Sequence, residues 1–318
     1  MIGQGLGLVL RLAMIVVLAR LISPEQFGIV AMVTVVTGLC EAFNSGGFVT
    51  ATIQSPQMSR PQLSQMFWIN LAVSFALGFG CAVLGPALAA FYNEPKLVAV
   101  AIVAGLALFI SGAGAQHSAI LQREMRYLTV SSIEFASLVA NVVVSIGFAL
   151  AGAGYWALVL GTLASSIVWS AALWQQSGFM PNAPKWGGVS VGSLVRMGVV
   201  VSLNSFVMYI AYNTEKMLLG RFWGAAALGV YGRAYQLINV PTATINAGVY
   251  AVALAGLSRV QEDAERFRAY FLKGYALAVS LTVPVTLACA LFAGDIVNIM
   301  LGPEWNEAIE IFRLLTPT

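Results

Sequence analysis

The chain has 318 residues, of which 59% are hydrophobic and only 9% charged, with a formal net charge of +3. Ordinary soluble domains carry roughly 45–50% apolar and about 25% charged residues, so long apolar runs here face lipid rather than fill one water-soluble core. No lysine and arginine cluster interleaved with aromatics suggests nucleic acid, and the three cysteines, Cys40, Cys81 and Cys289, sit inside apolar runs without paired or metal-ligand spacing.

A membrane helix needs ~20 mostly apolar residues. Expected spans are residues 2–22, 27–48, 66–92, 97–121, 130–152, 155–174, 194–219, 225–257 and 269–299, with a tenth opening near Ile309. No basic n-region or small-residue cleavage site marks the first run, which reads as a span rather than a leader. The chain starts inside its first helix and stops at Thr318, so the expectation is a piece trimmed slightly at the front and heavily at the back. The connectors are short and polar, none of them large enough for a soluble catalytic domain.

The stretch Leu18 to Met32 closes one apolar run, turns at Ser23-Pro24-Glu25 and opens the next at Phe27-Gly28. A weaker copy lies at Leu219 to Arg233: Leu18 meets Leu219, Arg20 meets Arg221, Phe27 meets Leu228, Gly28 meets Gly229 and Ile29 meets Val230. A fixed offset of this kind is the mark of an internal duplication. Six helices separate the copies, an even number, so the repeat is parallel rather than inverted. The expected fold is therefore all-α and polytopic, with two parallel-repeat helical lobes around a central cavity and the second lobe truncated. Residues 1–176 form the first lobe, 177–190 a cytoplasmic linker, and 191–318 a partial second lobe of about four helices.

Basic residues set orientation. The even-numbered connectors and their flanks carry nine cations, Arg60, Arg123, Arg126, Lys185, Arg196, Arg259, Arg266, Arg268 and Lys273, against five on the odd ones, Arg20, Lys96, Lys216, Arg221 and Arg233. The bias favours a cytoplasmic N-terminus. Trp156, Trp169, Trp174, Trp186, Trp223 and Trp305 lie near span ends and read as interface anchors.

Ionisable groups at membrane depth are expensive and usually face a cavity. Arg11 sits midway along the first helix, with Gln4 on the same face. The second helix carries a stripe of Thr34, Thr37, Glu41 and Asn44, and the fifth one of Glu134, Asn141 and Ser145. In the seventh, Ser202, Ser205, Tyr209, Tyr212 and Lys216 share a face, with Asn204, Asn213 and Glu215 near it. In the eighth, Arg233 and Tyr235 precede Asn239, Thr242 and Asn246 around Pro241, where a kink is expected. Duller readings stand beside these. Arg20, Lys96, Lys216 and Arg221 are close enough to helix ends to snorkel, single Ser, Thr and Asn residues serve as helix-to-helix bonds, and the lone His117 beside Gln116 reads as an interfacial or core residue. The cavity candidates for substrate are Arg11, Asn204, Tyr212, Lys216, Arg233 and Asn239; Glu41 and Glu134 are the candidates for ion coupling. No catalytic or metal-binding constellation is visible.

Leu18 to Met32 resembles the first loop and second helix of the polysaccharide (Wzx-type) flippases, in the superfamily that also holds multidrug and toxin extruders and lipid II flippases. Ala51-Thr52-Ile53-Gln54, Gln122-Arg123-Glu124-Met125-Arg126-Tyr127, Gly154-Tyr155-Trp156-Ala157-Leu158-Val159 and Leu301-Gly302-Pro303-Glu304-Trp305 are similar to later segments of that family, in order along the whole chain. The resemblance implies a non-enzymatic transporter in the bacterial cytoplasmic membrane. Its cargo would be an undecaprenyl-pyrophosphate-linked oligosaccharide, flipped by alternating access for O-antigen, capsule or exopolysaccharide. It also implies no cofactor, a proton or sodium gradient as driving force, and membrane lipids, a polymerase and chain-length machinery as partners. Rival readings are a drug extruder of the same superfamily, a major-facilitator transporter, whose expected loop after the second helix does not fit Gln54-Ser55-Pro56-Gln57, and a membrane polymerase or glycosyltransferase.

Overall fold

With no water in a bilayer to satisfy peptide groups, a spanning segment must close its own hydrogen bonds, and each apolar run here does so as a helix. The computed structural model describes residues 2–55, 58–183, 191–258 and 263–316, and among them every regular element is helical. Lys185, Trp186 and Arg259 lie outside the described residues, as do the side chains of Gln4, Asn44, Pro241 and Asn246. The helices are α1 (Ile2–Leu21), α2 (Pro24–Gln54), α3 (Arg60–Tyr92), α4 (Leu97–Arg123), α5 (Tyr127–Leu150), α6 (Trp156–Ser177), α7 (Gly192–Ser258), α8 (Ala264–Leu291), α9 (Ala293–Met300) and α10 (Glu307–Leu315). Seven stretches among the described residues are long and apolar enough to cross a membrane.

Helix starts follow from local chemistry. Ser23 is extended (φ −69°, ψ 157°) and Pro24 takes the first helical position, where its missing N–H goes unneeded; Glu25 complements the helix N-terminus. At α3, the Ser59 N–H donates to Gln62 Oε1 at 2.9 Å while Gln62 N–H reaches Ser59 Oγ at 3.5 Å, a capping box. The polar start adds the six residues by which α3, 33 residues long, precedes its expected span, while α2, 31 residues long, outruns its span by three residues at the start and six at the end. At ~1.5 Å per residue both exceed the roughly 30 Å hydrocarbon layer.

The two spans expected at 194–219 and 225–257 are the arms of α7, which is broken at Gly224 (φ 82°, ψ −176°) into α7a (192–223) and α7b (225–258). That backbone region is open essentially to glycine alone. A side chain at Gly220 would meet Leu228 Cδ2 at 3.1 Å, too near for residues eight apart in a straight helix, so the chain doubles back there. α7b continues through Pro241 without interruption. The span expected at 269–299 is instead two helices. α8 ends at Leu291, Phe292 leaves helical dihedrals (φ −97°, ψ 19°), and α9 restarts with Asp295 in its first turn, where a carboxylate favours an N-terminus.

The chain divides into two compact units, Met1–Gly229 and Val230–Thr318. In the first, α4 is the central post, packed on α2, α3, α5 and α6, while α1 lies on α5. Gly78 and Gly105 bring the backbones of α3 and α4 together, the close approach by which helices associate in lipid. The buried core joins Ile29, Met32 and Val33 of α2 to Cys81 and Tyr92 of α3, Leu97 and Val100 of α4, and Leu228. In the second unit, α10 packs on α8 and α9, and the short 3₁₀ turn Pro303–Trp305 packs on α9. Trp305 is thereby fully buried, a core ring rather than the interface anchor expected from its position near a span end.

Candidate functional site

A polar seam in the first unit runs between α2 and α7a. Small residues let the helices meet. Gly47 lies against Gly198 and Ser202, and the Tyr209 phenol sits over Gly38, where any side chain would strike its hydroxyl. Hydrogen bonds then cross the seam: Ser202 Oγ donates to the Phe43 carbonyl at 2.6 Å, and Tyr209 Oη to that of Thr34 at 3.3 Å. The pairs run 34 with 209, 43 with 202 and 47 with 198, so the two helices are antiparallel.

Lys216 continues this stripe. Its Nζ donates to Asn213 Oδ1 at 2.7 Å, with Glu215 Oε1 4.0 Å away, and Asn213 Nδ2 donates to the Tyr209 carbonyl at 2.9 Å. The Lys216 side chain is only 21% exposed. It lies eight residues before the break at Gly224, about 12 Å along the helix, and its ammonium turns toward Asn213, away from that end. Snorkelling to the nearer helix end, the duller reading of Lys216, does not describe this geometry.

The other predicted residues are placed separately. In the first unit Arg11 on α1, Glu41 on α2, Glu134 on α5, and Asn204 and Tyr212 on α7a are exposed. Tyr212 is 68% exposed and, among the described residues, makes no hydrogen bond across the seam. Although α1 packs on α5, Arg11 and Glu134 form no ion pair among the described residues. In the second unit Arg233 is half-buried, with Nη1 donating to Gln236 Oε1 at 2.6 Å, and Asn239 is exposed. Asn141 and Ser145 turn toward α6 instead of a cavity: Ser145 Oγ donates to Asn141 Oδ1 at 3.0 Å, and both face the bare backbone of Gly161. An open cleft of about 540 Å³ at the start of α7a is lined by Gly192, Ser193, Arg196, Met197, Val200 and Val201.

One polar cluster was missed as a unit in the sequence. Gln116 Nε2 donates to Thr52 Oγ1 at 3.2 Å, Asn70 Nδ2 to the Gly112 carbonyl at 3.0 Å, and His117 Nδ1 lies 2.7 Å from Ser177 Oγ. The His117–Ser177 pair has the reach of a base and nucleophile, but His117 is fully buried among Phe67, Trp174 and Phe179, and Ser177 Oγ accepts the Phe179 N–H. Its role is to anchor the end of α6. The same end holds the start of the α6–α7 connector, through Trp68 Nε1–H to the Asn182 carbonyl at 2.9 Å and Asn182 N–H to Ser64 Oγ at 3.1 Å. The adjacent Gln116-His117 pair, both polar within the small-residue end of an apolar helix, was the available signal.

A bundle of long apolar helices with polar seams at membrane depth defines an all-α multi-pass membrane protein. The chain belongs to the polysaccharide biosynthesis protein family, whose model matches residues 17–310. It is 25% identical over 316 residues to the lipopolysaccharide biosynthesis protein WzxC of Escherichia coli (strain K12), covering 98% of this chain and 63% of that protein. It is 26% identical over 281 residues to the teichuronic acid biosynthesis protein TuaB of Bacillus subtilis (strain 168), 85% of this chain and 56% of the relative. It is 21% identical over 306 residues to the succinoglycan biosynthesis transport protein ExoT of Rhizobium meliloti (strain 1021), 96% and 62%. The chain thus spans less than two thirds of the length of these relatives. Its fold matches the lipid II flippase MurJ in an inward closed conformation, with a TM-score of 0.79 at 13% identity, over 99% of this chain and 71% of that one.

Proposed function

We propose that this protein moves an undecaprenyl-pyrophosphate-linked oligosaccharide from the cytoplasmic to the outer leaflet of a bacterial inner membrane, by alternating access, for surface polysaccharide assembly. The observation that carries this reading is Lys216. A half-buried ammonium at membrane depth, fixed by Asn213 with Glu215 Oε1 4.0 Å away, is a costly charge usually kept for a pathway, and charge-assisted bonding to the pyrophosphate of such a lipid would use it. Arg11 and Arg233 are the further cations for pyrophosphate and sugar acids, and Asn204, Tyr212 and Asn239 supply polar contacts to sugar. Glu41 and Glu134, carboxylates on spanning helices, are the groups for proton or sodium coupling. The reaction is transport without bond chemistry, and a polymerase with its chain-length machinery takes the product at the outer face.

Lipid analysis of a strain lacking the gene tests the reading. Lipid-linked oligosaccharide is expected to accumulate on the cytoplasmic side while surface polysaccharide is lost, with both reversed by the wild-type gene. Normal polysaccharide together with new sensitivity to cationic drugs would move the protein to the drug-extruder branch, which the Glu41 carboxylate at membrane depth would also suit.

A further inference from the structure

The sequence repeat has a counterpart in three dimensions. At a shift of 201 positions (224 − 23), Ser23, where the chain enters α2, corresponds to Gly224, where it enters α7b. By the same shift Pro24 corresponds to Ala225 and Gly28 to Gly229. These four residues meet crosswise. A Cβ on Gly28 would strike the Ala225 carbonyl and lie 2.8 Å from the Ala225 Cα. A Cβ on Gly229 would strike the Pro24 carbonyl and lie 3.0 Å from the Gly28 nitrogen. Each glycine of one copy seats the first turn of the other, with no side chain between them, flanked by buried Phe27 and Leu228. Residue i touching j' while j touches i' is the contact pattern of a two-fold axis, here relating the two copies of the duplicated turn.

Bare backbones in contact are held by close packing and weak Cα–H···O bonds, without interlocked rotamers, so they part and re-form without side-chain rearrangement. Further along α2, its contact with the other arm, α7a, is held differently, by the directional hydrogen bonds of Ser202 to Phe43 and Tyr209 to Thr34. We propose that Gly28 and Gly229 form a reciprocal clasp, a latch that holds one closed state of the transporter and parts once in each cycle while the Ser202 end of the seam stays joined. This rests on the alternating-access reading above.

The test uses thiol reactivity, which needs no substrate and so stands or falls apart from the cargo assignment. In the chain carrying Cys40→Ser, Cys81→Ala and Cys289→Ser, Leu228→Cys reports on the clasp and Ile133→Cys, buried in a separate cluster with Leu121, Val130 and Leu173, reports on the fold. Maleimide labelling at Leu228→Cys is expected to be slow, and to rise on the order of tenfold when Gly28→Val or Gly229→Val shifts the closed–open balance, while Ile133→Cys stays protected. Gly80→Val, where a Cβ meets nothing, is expected to change neither. If the valine variants unfold, Gly28→Ala and Gly229→Ala carry the same comparison. Unchanged labelling at Leu228→Cys, or an equal rise with Gly80→Val, overturns the clasp. So does wild-type export by a variant whose labelling has risen.

Discussion

Lys216 and Tyr209 divide the work of the polar stripe on α7a. Tyr209 lies over Gly38 and donates across the seam, so it holds helices; Lys216 is held within its own helix by Asn213, with Glu215 nearby, and brings a positive charge to the stripe. The two residues therefore predict different losses. Lys216→Gln removes the charge but keeps a polar stem. If a charged hydrogen bond to substrate is lost, worth about 1.5–3 kcal/mol, export should fall roughly 10–100-fold with membrane content unchanged, read as surface polysaccharide in the complemented deletion strain. Wild-type export would return Lys216 to a packing role. Ser202→Val, by contrast, forces methyl groups against Gly47 and strips the donor from Phe43, so it should lower the thermal midpoint in detergent, by about 1–3 kcal/mol of overpacking. The stripe itself was legible in the sequence, because three- and four-residue spacing puts groups on one face. Which members face a neighbour was not. Ser202 bonds to α2, whereas Ser145 bonds to Asn141 of its own helix with both against Gly161 of α6, and a pattern of spacing within one helix carries no information about which partner lies alongside.

Helix boundaries were legible where apolar runs end at a polar turn, as at Ser23-Pro24 and Asn93 to Lys96. They failed where the break lies inside an apolar run. Phe292 and Gly294 carry no charge to mark an end, so α8 and α9 read as one span. Conversely, the capped start of α3 and the polar end of α2 at residues 49–54 add turns that hydropathy does not register. A break between 219 and 225 was legible in the sequence, inside the stretch that repeats Leu18 to Met32, and the structure places it at Gly224. Its dihedrals make a sharp prediction: Gly224→Ala should cost about 1–3 kcal/mol and lower the thermal midpoint of the detergent-solubilised protein. Gly232→Ala is the matched control. A Cβ there meets nothing and the residue is helical, so replacing glycine should be neutral or stabilising by up to ~1 kcal/mol. Equal losses from both would mean that the Gly224 conformation is not what separates α7a from α7b.

At the scale of the molecule, alternation of connectors is a geometric claim that contacts support independently of charge. Arg126, in the turn between α4 and α5, donates to the Gln176 carbonyl at 2.9 Å near the end of α6, and Asn182, after α6, is bonded to Ser64 and Trp68 at the start of α3. The connectors after α2, α4 and α6 therefore share one end of the first unit, as an odd–even alternation requires. Arg60, Arg123, Arg126 and Arg196 lie at or beside that end of the first unit, and arginine and lysine beside spanning helices favour the cytoplasmic side. We expect Lys96→Cys, exposed in the turn between α3 and α4, to react in intact cells or spheroplasts with a membrane-impermeant maleimide. Arg60→Cys, exposed at the opposite end, should react only after permeabilisation. The reversed pattern would put the N-terminus outside and turn the cleft beside Arg196 to the outer face. A substrate made in the cytoplasm would then reach that cleft last, and the cleft could not serve as its entry point.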